Sequence, residues 1–89
     1  MVFTAISRMP KVRRETLPRV LFRHLVDRAL ERSISTDQLE LLFDWLETEP
    51  EVPREKWFKR FPEMIVCGEG ELIKTFLHSD QAALGQEVN

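Results

Sequence analysis

Three side chains in this 89-residue chain carry the chemistry of a nucleophile, a general base or a soft metal ligand: Cys67, His24 and His78. Cysteine attacks as the thiolate, so a reactive one needs a base, a cation or a helix N-terminus beside it. Cys67 instead closes a β-forming run at residues 64–67, where a thiol ordinarily serves as a small apolar side chain. The two histidines stand far apart, outside the short ligand spacings of a zinc motif, and His24 falls on the charged side of a helical segment. Gly68-Glu69-Gly70 is too short for a phosphate loop and lacks the Lys-Ser/Thr ending. The acidic stretch 47–51 lacks the ligand positions of a calcium loop. The expectation is a protein that is not an enzyme and uses no cofactor or metal.

Charge offers a second kind of chemistry. The net charge is −2, but it is segregated along the chain. Residues 1–32 hold eight basic and three acidic side chains, and residues 33–52 hold none and six. Arg13 and Arg14, with Arg8 and Lys11, form a basic arm, and Arg19, Arg23, Arg28 and Arg32 follow on a helix. That pattern suits phosphates, so a nucleic-acid-binding regulator of the antitoxin kind is the alternative reading. The competing explanation is that these arginines face the chain's own acidic region, or that region in a second copy. Two helices around Ser33 have the outline of a helix-turn-helix, yet the second carries Asp37, Glu40 and Asp44 and no basic residue, which favours a plain packing hairpin over a major-groove reader.

Composition bounds the rest. A chain of this length forms one domain, 1–89, and buries only about 60–65% of its unfolded surface. It is 43% hydrophobic with six Phe and two Trp, which supplies a core. One cysteine excludes an internal disulfide and favours a reducing, cytoplasmic location. Arg8 interrupts the apolar opening before a signal-peptide core forms, and no apolar run reaches membrane-spanning length. Met9 is a second candidate initiator.

Periodicity then sets the elements. Residues 17–32 read as an amphipathic helix with Leu21, Leu25, Ala29, Phe22, Val26 and Leu30 on its buried side. Ser35 and Gln38 have the spacing of a capping box, and Ile34 and Leu39 that of a hydrophobic staple, so a second helix is expected from Thr36 to about Glu47. Its apolar arc, roughly 200° wide at 100° per residue, leaves Leu41 and Trp45 on a second side that something must cover. Pro50 and Pro53 mark an extended connector. Residues 53–61 read as a short third helix with Trp57, Phe58 and Phe61 turned inward.

Residues 64–67 and 72–77 read as a hairpin around Glu69-Gly70, pairing 67 with 72 and 64 with 75. Met64, Val66, Ile73, Thr75 and Leu77 then share the core face, and Ile65, Cys67, Leu72 and Phe76 the other. Residues 2–6 alternate like an added strand, Ser79 caps a turn over residues 80–84, and 85–89 form a frayed tail.

The fold class is therefore α+β: a two-helix hairpin plus a short third helix packed on a C-terminal β-hairpin, with an N-terminal strand (or basic arm) in residues 1–14. The leading expectation is a non-enzymatic protein-interaction module that forms a homodimer or joins a larger protein through Leu41, Trp45, Ile65 and Phe76. No membrane association or small-molecule ligand is evident. The nucleic-acid alternative rests on Arg13, Arg14, Arg19, Arg23 and Arg28.

Overall fold

The computed structural model describes residues 10–31 and 34–89. The expected strand at 2–6 and the basic residues Arg8 and Arg32 lie outside them. A single 3-10 turn at Arg14–Thr16 leads into helix α1, Arg19–Leu30, and helix α2 follows at Thr36–Glu47. Strands β1, Lys56–Arg60, β2, Met64–Glu69, β3, Leu72–His78, and β4, Gln86–Glu87, form one sheet in the order β3-β2-β1-β4. The first three strands are antiparallel and β4 runs parallel to β1. The α+β class is as expected; the third helix is not present.

Pro18 caps α1 with its carbonyl, which accepts the Phe22 N–H at 3.0 Å. Its fixed φ is compatible with that position. Helix α2 has the expected limits, but its start is not held by the local box. The Glu63 carboxylate accepts from the Ser35 N–H at 2.7 Å and lies 3.3 Å from the Ser35 hydroxyl, while Gln38 Oε1 accepts the Glu63 N–H at 3.1 Å. A carboxylate thus sits at the positive end of α2, supplied by the β1–β2 turn instead of the helix itself. Ile34 is buried beside it, as expected of a staple residue.

The segment read as a third helix is β1. Alternation decides this: Trp57, Lys59 and Phe61 turn toward the helices, and Phe58 and Arg60 toward the opposite side. Trp57 is fully buried and its Nε1–H donates to the Gly70 carbonyl at 2.8 Å. Across the pair, Gly68 lies under the indole. Large aromatics covering a glycine on the neighbouring strand are a recognised way of sealing a sheet.

Hairpin register also departs from expectation. Glu69 pairs with Leu72, leaving Gly70-Glu71 as a two-residue loop with Gly70 at φ +57°, the first position of a type II′ turn. Beyond Cys67/Gly68 the ladder shifts by one residue at a β-bulge, so that Cys67 faces Thr75, Val66 faces Phe76 and Met64 faces His78. A one-residue shift sends every later side chain to the other face. Phe76 therefore joins the core in place of Thr75 and Leu77. The core lies between helices and sheet and includes Leu25, Leu42, Leu46, Trp57, Met64, Val66, Ile73 and Phe76.

The ends of the described chain are tied down. Val12 N–H donates to the Pro50 carbonyl and Val52 N–H to the Pro10 carbonyl, fastening the basic arm to the acidic connector and burying Val12 and Val52. Residues 80–84 form no helix. They belong to a crossover, 79–85, that must pass three strand spacings, about 14 Å, to bring β4 beside β1; seven residues reach about 25 Å. The segment 85–89, expected to fray, ends in that pairing. Val88 N–H donates to the Phe58 carbonyl at 2.8 Å and Glu87 approaches Arg60 at 3.5 Å.

Candidate interaction surface

Four residues were expected to form an interface, and the fold uses most of them internally. Ile65 is 0% exposed and Phe76 4%, so neither is available at the surface; the bulge accounts for Phe76. Trp45 is half-buried against Trp57 and Phe61, with ring centroids at 5.8 and 6.2 Å. The Lys59 amine stands over Trp45 and Phe61, and Trp45 Nε1–H donates to the Asn89 carbonyl at 3.3 Å. The second side of α2 is thus covered by β1 and the chain end, and of the four only Leu41 remains exposed.

Exposed apolar surface appears instead on α1. Leu30 is 77% exposed, Val20 64% and Phe22 40%. At 100° per residue Phe22, Val26 and Leu30 form one row along the helix, with Arg19 in line with its Val26–Leu30 side and Arg23 just beyond it. Phe22 meets Phe43 of α2 at 5.8 Å between ring centroids, so this end of the row lies in the groove between the two helices. On the α2 side the same geometry borders Leu39 and Phe43 with Glu40 and Glu47. Helical-wheel positions thus give this groove a basic bank on α1, Arg19 and Arg23, and an acidic bank on α2, Glu40 and Glu47, with Glu47 paired to Arg14 and the rings of Phe22 and Phe43 between the helices. Sequence reasoning missed this surface because the six apolar residues of α1 were all assigned to burial. Their arc spans about 180°, wider than one sheet contact covers, and that breadth was the available signal.

The five arginines of the nucleic-acid reading do not converge on one face. Arg14 pairs with Glu47 at 3.7 Å and lies over the Phe43 ring at 5.0 Å. Arg28 is half-buried on the opposite side of α1, its guanidinium donating to the Phe76 carbonyl at 3.5 Å. Arg19 and Arg23 share the groove's basic bank, and Arg13 precedes the 3-10 turn. An exposed ion pair such as Arg14–Glu47 contributes at most about 1 kcal/mol, but it shows the basic arm meeting the chain's own acidic helix.

Cys67 is half-buried on the sheet face away from the helices, and burial pushes its thiol up from the ordinary value. A thiol with a raised pKa holds less thiolate at pH 8 than a free one. In the native protein Cys67 is accordingly expected to react with an aromatic disulfide reagent more slowly than in urea, a difference that absorbance kinetics measure. Equal rates would mean the thiol is neither shielded nor shifted. Among the described residues no three His, Cys, Asp or Glu side chains converge to hold a metal, and no helix is long and apolar enough to cross a membrane.

The arrangement defines a two-layer α+β domain with exposed apolar side chains on α1. Comparison of the chain with protein-family models, with curated proteins and with solved structures gives no match.

Proposed function

We propose that this chain is a non-catalytic interaction module that pairs with a second copy of itself through the α1–α2 groove. The observation that carries the reading is the exposed apolar side chains of α1, above all Leu30, with Val20 and Phe22 beside Arg19 and Arg23. A twofold axis parallel to the groove lays the basic bank of each copy on the acidic bank of the other, so every favourable contact occurs twice. Arg19 adds weight to this. It sits in the first turn of α1, where a cation opposes the helix dipole by about 0.3–1 kcal/mol, a placement that local stability does not explain.

The nucleic-acid alternative has less support, because Arg14 and Arg28 are engaged within the fold and a full acidic helix lies beside Arg19 and Arg23. Charge exchange tests the dimer reading. Arg23→Glu is expected to weaken self-association at least tenfold by sedimentation equilibrium, and adding Glu40→Arg to restore most of it. A double variant no better than the single one would break the proposed pairing of the banks.

A further inference from the structure

On the far side of the sheet from the helices, the 79–85 crossover and the outer face of β2 and β3 border an open cleft of about 290 Å³. Its construction follows from the bulge. Ile73 and Phe76 both point to the core, so the two residues between them, Lys74 and Thr75, project together on the outer face. Bulges commonly re-aim side chains in this way beside binding sites. Ala82 and Leu84 from the crossover and Leu77 from β3 supply an apolar wall, and Lys56 closes the β1 side. Gly85, at φ +107°, lets the crossover run against the Lys56 carbonyl, where a Cβ would overlap it. This holds the wall in place.

Among the described residues neither the Lys56 nor the Lys74 ammonium makes a hydrogen bond or an ion pair. That distinguishes them from Lys59, which covers Trp45, and from Arg14 and Arg60, which are paired. Glu69 also lines the cleft, so the ionisable side chains at its mouth carry a net charge of +1. Two free ammonium groups, a hydroxyl and an apolar wall around a volume at the small end of ligand sites complement one chemical class: an organic carboxylate with a short aliphatic body. Half-buried Leu77, with the exposed Ala82 and Leu84, gives the body an apolar contact, and the lysines give the head charge-assisted hydrogen bonds.

We infer that this cleft binds a medium-chain monocarboxylate, with Lys56 and Lys74 holding the carboxylate and Leu77, Ala82 and Leu84 the chain. The site is separate from the helical groove and does not depend on self-association. The test is an amide NMR titration of the full chain with sodium octanoate, and in parallel with octylammonium chloride. Octanoate is expected to shift the amides of Lys74, Thr75, Leu77, Ala82 and Leu84 saturably, and octylammonium to leave them in place. The exposed pair Lys56→Gln and Lys74→Gln, introduced together, should keep the spectrum of the folded protein and weaken octanoate at least tenfold. Three results would each overturn the inference: no shift with octanoate, equal shifts with both probes, or shifts centred on Phe22 and Phe43.

Discussion

Replacing Gly68 with alanine is expected to destabilise the protein by about 1–3 kcal/mol, the range for forcing extra volume into a filled core. A Cβ at this position would overlap Cζ2 of the Trp57 indole and lie 2.7 Å from the Leu72 carbonyl oxygen. Neither neighbour can yield cheaply. The indole is wholly buried and pinned by its hydrogen bond to the Gly70 carbonyl, and the Leu72 carbonyl belongs to the hairpin ladder. For a domain of this size each kcal/mol corresponds to about 4–8 °C in Tm, so thermal unfolding followed by circular dichroism measures the effect directly. In a Trp57→Phe background the same methyl should cost less, because the overlapping ring atoms are gone; a double-mutant cycle reads that coupling. Unchanged melting on Gly68→Ala alone would mean that Trp57 does not cover this glycine.

The second large effect is expected on assembly. Leu30→Gln removes the most exposed large apolar side chain of the groove and keeps a good helix former in place. Burying one leucine is worth about 2 kcal/mol, and a twofold interface counts it twice, so dimer affinity should fall by about 10³-fold. Monomer stability should barely change, since Leu30 packs on little within its own chain. Loss of folding together with loss of association would assign Leu30 to the core and remove the basis of the proposal.

How far the sequence revealed this molecule varies element by element. Helix α2 was legible to the residue, because Ser35, the apolar spacing and Pro50 all point the same way. Yet the reason its start is stable was not, since Glu63 lies 28 residues from Ser35 and no local pattern announces a contact across that distance. In β1, Lys56-Trp-Phe-Lys-Arg supports both periods: aromatics four apart suggest a helix, while Trp57, Lys59 and Phe61 alternate as in a strand. Only the neighbouring edge of β2 decides between them. The bulge at Lys74 was equally hidden, and with it the inward turn of Phe76 and the cleft on the other face. As for the proposed interaction surface, the opposed charge blocks were readable, but the exposed apolar residues of α1 were credited to the core. A sheet this small cannot cover a 180° helical arc, which is why Phe22 and Leu30 stay exposed.

The central claim, that two copies meet through the helical groove, is tested most directly by light scattering after size exclusion on the full chain purified alone. With a chain mass of 10.5 kDa, the account predicts about 21 kDa, twice that value, for the wild-type protein and 10.5 kDa for Leu30→Gln at the same loading. A wild-type mass that stays at 10.5 kDa as loading increases would contradict it.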